Sequence, residues 1–208
     1  MTVEPHRFTT LTADVRQALL AAYADVRAPL LDRPNYRLEA FTERLEQHAA
    51  TPGFTLVLAL ATGRPDAPGP DAPGRGTGGT GGTGGIGTAV GYAYGNTVGP
   101  EDGYWQRLAE PLPAGFTATP VLALREIGVR PPWRGTGAAR RIHDALLADR
   151  PEQRVALMVN PLAGEGKVLR LYEGWGYRGY NSQAGTPLSP ELTAMIRPIR
   201  PIRPEPAT

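Results

Sequence analysis

The sequence contains no cysteine and only three histidines. The lack of cysteine excludes disulfides, thiolate metal sites and a cysteine nucleophile, and the histidines show no metal-ligand spacing. The longest apolar run, residues 54–61, includes a threonine and is far too short to cross a bilayer. The N-terminus also lacks the basic and then apolar pattern of a signal peptide. These absences predict a cytoplasmic protein with no membrane contact and no bound metal.

Neither sign of charge dominates, since the sequence contains 22 lysines and arginines and 20 aspartates and glutamates. The arginines are scattered along the chain, so the basic patch of a nucleic-acid-binding protein is missing and we expect no nucleic-acid partner. Hydrophobic residues make up 41% of the sequence. That content and the chain length favour one sizeable core and a single domain over residues 1–196.

Hydrophobic periodicity predicts that the chain opens with a helix, a second helix and a strand. The first helix is capped within residues 10–14 and runs for about four turns. The second covers residues 38–50, and the strand covers residues 54–60. A second strand over residues 89–94 then forms a hairpin with the first.

Two segments differ in composition from the rest of the chain. Residues 63–87 contain eleven glycines and four prolines, which offer no apolar surface to offset the entropy of ordering, and they predict a flexible loop between the hairpin strands. Residues 197–208 continue an Ile-Arg-Pro repeat, which favours an extended, polyproline-like tail. Residues 95–120 combine turn formers with Tyr104, Trp105 and Phe116, which either line a pocket or attach the segment to the core.

A predicted strand over Val121–Val129 leads through Pro131 and Pro132 into the sequence Arg134-Gly135-Thr136-Gly137, and a helix-like run follows. The prolines end the strand, and the glycines let the backbone turn so that several N–H groups point into one concavity. The first amides of the helix have no intrahelical partner, and the helix dipole adds positive charge. This arrangement predicts an anion site suited to a phosphate or diphosphate.

Glu126 lies within this strand. Simple alternation places it on the same face as Leu122 and Leu124, unless a bulge resets the register. A carboxylate among apolar neighbours is either paired with an arginine or poised as a base with a raised pKa.

Both common nucleotide motifs fit the glycine-rich turn badly. Arg140 occupies the third glycine position of a dinucleotide fingerprint, and the following strand ends in Asn160 rather than an acidic residue. Ala138 and Ala139 occupy the positions where a Walker motif needs its lysine.

The segment Arg134-Gly135-Thr136-Gly137-Ala138-Ala139 instead resembles the pyrophosphate signature of the GCN5-related N-acetyltransferase (GNAT) superfamily: Arg or Gln, two residues, Gly, one residue, Gly or Ala. The segment from Val168 to Tyr177 resembles the helix and strand that follow in the family, with leucine-tyrosine and then glycine-aromatic. The two motifs stand in the family's order and cover about 60 residues with the strand Arg154–Val159 between them.

The resemblance implies an α/β fold with a mixed, centrally splayed β-sheet flanked by helices. The strands Val121–Val129 and Arg154–Val159 would splay apart and receive the pantetheine arm of acetyl-CoA. The resemblance also implies a set of cofactor contacts: main-chain groups of Ile127 and Val129, the amides of Arg134, Gly135, Thr136, Gly137, Ala138 and Ala139, and Asn160. In many family members an asparagine contacts the cofactor about seven residues before the tyrosine; that position here is Glu165, and either Glu165 or Asn160, five residues earlier, would make the contact.

The implied activity is N-acetyl transfer from acetyl-CoA to a primary amine by direct attack. Glu126 is the candidate base and Tyr172 the candidate acid toward the CoA sulfur. Tyr172 could also be a core residue, and His143, on the apolar stripe of its helix, is expected to be a packing histidine. The acceptor would be a small-molecule or peptide amine, and a homodimer stays open. The alternative is a non-catalytic acyl-CoA-binding sensor or interaction module.

Overall fold

The computed structural model describes residues 2–62, 86–186 and 190–199. Most of the glycine-rich segment predicted as a flexible loop, residues 63–85, and the end of the predicted tail, residues 200–208, lie outside the described residues. No helix in the described part of the chain is long and apolar enough to cross a membrane.

Strands and helices follow one another along the described chain in a mixed order. The elements are β1 (Thr2–Phe8), α1 (Ala13–Arg27), α2 (Leu38–Ala49), β2 (Thr55–Thr62), β3 (Ala89–Val98), β4 (Val121–Val129), α3 (Ala138–Leu147), β5 (Arg154–Val159), α4 (Lys167–Gly174), β6 (Arg178–Gln183) and β7 (Leu192–Pro198).

The strands form one sheet in the order β1-β2-β3-β4-β5-β7-β6. Neighbouring strands are antiparallel except β4 and β5, which are parallel and are connected through α3. The pairing of β4 with β5 covers only three residue pairs, from Leu122–Val155 to Leu124–Leu157. Beyond Leu124 the two strands separate, and the predicted splay in the middle of the sheet is confirmed.

Three clusters of buried side chains occupy the two faces of the sheet. One face packs against α3 and α4, with Leu122, Leu124 and Ile142 in the cluster. The opposite face is covered in two parts. Helices α1 and α2 cover β2 and β3, whereas the segment between β3 and β4 covers β4 and β5 through Tyr104 and Trp105. The aromatic residues of that segment therefore attach it to the core.

The first helix begins as predicted. The Oγ1 of Thr12 accepts a hydrogen bond from the amide of Val15 at 3.4 Å, and the apolar positions Val15, Leu19 and Val26 are buried against the sheet. The hairpin of β2 and β3 and the bounds of β4 and β5 also match the predictions.

The predicted opening of helix, helix and strand is wrong, because β1 precedes α1 and pairs with β2. β1 is an edge strand, and Val3 is its only buried residue among Val3 to Phe8. Half-exposed edge strands carry little hydrophobic alternation, so no pattern marked it.

The domain boundary at residue 196 stays a prediction, although strand β7 does not end at that residue. β7 continues through Arg197 and Pro198, which pair with Val155 and Arg154 of β5. The amide of Ile199 then donates to the carbonyl of Gln153 at 2.8 Å. Proline is tolerated here because it is the last residue of the strand.

Candidate functional site

The turn between β4 and α3 is built by glycines in the left-handed region. Gly135 and Gly137 have φ of 78° and 79°, and Gly137 is the N-cap of α3. Before them, the amide of Trp133 donates to the carbonyl of Arg130 at 2.9 Å in a short 3-10 turn. Left-handed backbone is costly for other residues, so the glycines allow the chain to enter the helix in this geometry.

A run of backbone amides at this turn has no internal partner. Within the described residues, the amides of residues 135–140 donate no hydrogen bond, and the first bond of the helix runs from Arg141 to the carbonyl of Gly137 at 3.2 Å. The amide of Arg134, which the resemblance placed in this set, instead donates to the carbonyl of Pro131 at 3.2 Å. The free run thus begins one residue later than predicted, and it suits a phosphate group.

The guanidinium of Arg134 binds backbone carbonyls on two other elements. Its Nε donates to Val129 O at 3.1 Å, and its Nη2 donates to Val26 O at 3.4 Å. The side chain therefore joins the last turn of α1 to the end of β4. Its charge stays beside the unpaired amides.

The exposed side of β4 faces the splay. The amide of Arg130 donates to Val90 O of β3 at 2.9 Å. Because backbone groups alternate in direction along a strand, the N–H and C=O groups of Ile127 and Val129 point the other way, towards β5, and of these the Val129 carbonyl already accepts from Nε of Arg134. β5 no longer pairs with β4 at this level, so an extended ligand could pair with these groups.

A bulge in β4 changes the direction of Glu126. Tyr94 of β3 pairs with Glu126, but the next pair is Gly95 with Leu124, which leaves Arg125 as an extra residue. The bulge resets the register, which is the alternative the sequence left open, and Glu126 does not share a face with Leu122 and Leu124. Glu126 instead lies on the face covered by α1, and its carboxylate forms an ion pair with Arg27 at the end of that helix.

Tyr172 lies on α4 and is only 7% exposed. Its ring makes edge contacts with Trp175 and Tyr177, at centroid distances of 5.6 Å and 5.5 Å. Burial raises the pKa of Tyr172 above its ordinary value, and the negative charge of Glu126 adds to this effect. The phenol therefore keeps its proton at neutral pH.

The loop after β5 uses the side chain of Asn160 for its own structure. The Oδ1 of Asn160 accepts a hydrogen bond from the amide of Leu162 at 2.9 Å. Glu165, at the position where the family often has asparagine, has a φ of 59°, is 87% exposed and pairs with Lys167 at 3.2 Å. The Nδ2 of Asn160 remains the group that could contact a ligand in the splay.

His143 is completely buried on α3. Its Nε2 lies 2.9 Å from the Tyr177 hydroxyl and its Nδ1 lies 3.2 Å from Asp144 Oδ1. Burial lowers the pKa of His143 to about 4, with Asp144 opposing the effect. The expected packing role fits these contacts. No group of histidines, aspartates and glutamates within the described residues could hold a metal ion.

Two arginines at the site had no sequence signal. Arg27 is the last residue of α1, and only the packing of α1 across the sheet brings it to Glu126. The sequence gives Arg125 the pattern of an ordinary strand residue, because no motif in β4 marks the position of the bulge. The sequence shows that Arg125 and Glu126 are neighbours, but simple strand alternation would place their side chains on opposite faces of the sheet.

No family model matches the sequence, and no curated protein matches it. Solved structures do match over nearly the whole chain. NAA60 of Arabidopsis thaliana, solved in complex with acetyl-CoA, has 13% identity and a TM-score of 0.57, with 95% of this chain and 99% of that chain covered.

Two bacterial structures are similar to the same degree. The histone acetyltransferase HPA2 and related acetyltransferase structure from Corynebacterium glutamicum has 14% identity and a TM-score of 0.59, with 99% of both chains covered. The ribosomal-protein-S18-alanine N-acetyltransferase of Escherichia coli has 12% identity and a TM-score of 0.56, with 99% of this chain and 100% of that chain covered. The chain therefore has the GNAT fold, as the resemblance implied.

Proposed function

We propose that this protein is an N-acetyltransferase that moves the acetyl group of acetyl-CoA to a primary amine. The observation that carries the proposal is the run of unpaired amides at residues 135–140 beside the open splay of β4 and β5. A diphosphate fits the first feature and an extended amide-bearing arm fits the second. Coenzyme A contains both groups.

The chain's own residues would hold the co-substrate at two places. The amides of Gly135 to Arg140 would bind the diphosphate, with Arg134 supplying charge beside them. The backbone groups of Ile127 and Val129 would pair with the pantetheine arm. An N–H directed at the thioester carbonyl would also stabilise the oxyanion that forms during attack.

Glu126 and Tyr172 would move the two protons of the reaction. The amine attacks the thioester carbon, so a C–N bond forms and the C–S bond breaks. Glu126 accepts the proton that the amine loses, directly or through a water, and Tyr172 donates its proton to the departing sulfur. Burial keeps Tyr172 protonated, which suits an acid. No covalent bond to the protein is needed.

A non-catalytic acyl-CoA-binding module is the second candidate. The ion pair of Arg27 with Glu126 favours it, since the pair gives Glu126 a role in joining α1 to β4 without any chemistry.

Thiol release separates the two candidates. The protein is incubated with acetyl-CoA and a panel of small amines, together with a peptide whose N-terminus is alanine, because the E. coli neighbour is named for such an acceptor. We expect amine-dependent release of CoA in the wild type and a loss of about 100-fold in kcat for Glu126→Gln and for Tyr172→Phe. Glu46→Gln, in the surface pair with Arg16, is the matched control.

Coenzyme A binding is measured on the same variants by calorimetry. If the wild type binds CoA but no amine accelerates thiol release, the binding-module candidate is correct. If the protein binds no CoA at all, both candidates fail.

A further inference from the structure

Arg125 is the half-buried neighbour of Glu126 in β4. Its Nε donates to Asn96 Oδ1 at 2.6 Å, and its guanidinium lies 5.1 Å from the ring centroid of Tyr104. Glu126 contacts Arg27 of α1 instead. The two residues therefore mark the boundary between the part of this face that α1 and α2 cover and the part that the segment between β3 and β4 covers.

The guanidinium of Arg125 has no carboxylate partner. Across the described ranges, no carboxylate oxygen lies within 4.0 Å of it, and its two terminal nitrogens donate no hydrogen bond. Burial lowers the pKa of Arg125, and the charge of Arg107 acts in the same direction. A cation that is partly removed from water without a counter-charge is costly, so a bound anion would stabilise it.

More positive than negative charge acts on His48, which Arg125 itself influences. His48 lies on α2 and contacts the Tyr94 hydroxyl at 3.4 Å. Burial lowers the pKa of His48 to about 4, and the charges of Arg125, Arg44 and Arg107 lower it further. Asp102 opposes these charges, but its Oδ1 already accepts the amide of Tyr104 at 2.8 Å. The field on this side of Glu126 therefore favours an anion.

Asn96 fixes the direction of Arg125. Its side chain is fully buried, and its Nδ2 donates to Thr97 O at 3.0 Å, which leaves the amide oxygen facing Nε of Arg125. A guanidinium held through Nε presents its terminal nitrogens as a preorganised pair, and such a pair matches the two oxygens of a carboxylate or a phosphate.

We propose that the amine acceptor carries an anionic group within a few bonds of its primary amine, and that Arg125 binds this group while Glu126 faces the amine. The inference rests on the proposed acyl transfer and specifies its acceptor. Because Arg125 and Glu126 are consecutive residues, their Cα atoms are about 3.8 Å apart, which favours small amino acids or small phosphorylated amines over long diamines.

Matched acceptor pairs test the proposal. The carboxylates are glycine, β-alanine and 4-aminobutyrate, each compared with its carboxamide, and phosphoethanolamine is compared with ethanolamine to separate carboxylate from phosphate. We expect at least one anionic acceptor to exceed its neutral partner by about 10- to 100-fold in kcat/KM. Arg125→Gln should remove this preference, mainly through KM, and change the rate with the neutral partner by less than about threefold. Arg16→Gln is the control for loss of an arginine at a surface ion pair.

Two outcomes would overturn the proposal while acyl transfer stands. One is a wild type that uses neutral amines as well as anionic ones. The other is an Arg125→Gln variant that loses activity equally with both members of a pair, which would assign Arg125 to the structure of the bulge.

If no amine is acetylated, a binding measurement tests whether Arg125 forms an anion site. N-acetyl-β-alanine and its carboxamide are titrated into the CoA-bound protein and followed by NMR. Saturable binding of the carboxylate alone, lost in Arg125→Gln, supports an anion site even though the proposed transfer fails. Absence of such binding, in a protein that acetylates no amine, rejects the site as well.

Discussion

The buried histidine of α3 makes stability depend on pH in a direction that can be worked out. The pKa of His143 falls from an ordinary 6.5 to about 4 in the fold, chiefly because burial disfavours the charged ring. The unfolded chain therefore takes up a proton at a higher pH than the folded chain does. The stability that His143 contributes is fully present above about pH 6.5 and is lost as the pH falls towards 4.

The size of the effect follows from the same values. A pH of about 5 lies about 1.5 units below the pKa of the unfolded histidine, so that ring is mostly protonated, while the folded ring is still mostly neutral. This difference corresponds to a loss of about 2 kcal/mol in the free energy of unfolding. Urea unfolding at about pH 7.5 and about pH 5 measures the loss in the wild type and in His143→Gln. Glutamine can still bond the Tyr177 hydroxyl, whose distance to the histidine is 2.9 Å, but it does not titrate.

We expect the variant to lose about 2 kcal/mol less than the wild type between the two pH values. His6→Gln, at an exposed position of β1, should keep the wild-type difference. Tyr177→Phe removes the hydroxyl partner of His143 and should leave the pH-dependent loss largely in place, because burial is its main cause. Equal losses in His143→Gln and in the wild type would refute the reasoning.

Three further substitutions follow from other parts of the fold. Gly137→Ala places a side chain at a φ of 79°, which costs about 1–2 kcal/mol and should weaken CoA binding about 5- to 30-fold in calorimetry, whereas Gly99→Ala, with open space around it, should be neutral. Arg150→Met leaves the buried carboxylate of Glu152 without its charged partner at 2.6 Å and should cost about 3–5 kcal/mol in urea unfolding, so a loss below 1 kcal/mol would contradict a stabilising pair. Gly91→Ala would put Cβ 2.8 Å from Gly128 O, between β3 and α3, and should lower stability by about 1–3 kcal/mol; an unchanged Tm would show that the backbone yields there.

The parts of the site that depend on local backbone chemistry could be predicted from the sequence. Pro131 and Pro132 end a strand, and Gly135 and Gly137 supply the left-handed turns, so the order of strand, anion-binding turn and helix could be derived from neighbouring residues alone. His143 was predictable in the same way, because its place on the apolar stripe of α3 depends only on helical periodicity.

The parts that depend on contacts between distant elements could not be predicted. β1 owes its existence to pairing with β2, and its side chains are mostly exposed. The direction of Glu126 depends on a bulge that becomes visible only when β3 and β4 are paired residue by residue. The partner of Glu126, Arg27, lies 99 residues earlier in the chain, where nothing in the helix sequence distinguishes it from a solvated arginine.

Because β4 and β5 pair over only three residue pairs, backbone groups at the centre of this sheet have no partner strand within the described part of the chain. Ordinary sheets keep such open backbone edges at their periphery, where charges and prolines protect them, but this one lies in the interior of the architecture. A ligand that lines the gap with matching amides would add backbone pairing between two parts of the sheet whose strands pair directly over only three residue pairs. Thermal resistance should therefore rise with the concentration of whatever occupies the gap, and the vacant protein should be the form that proteases cut first.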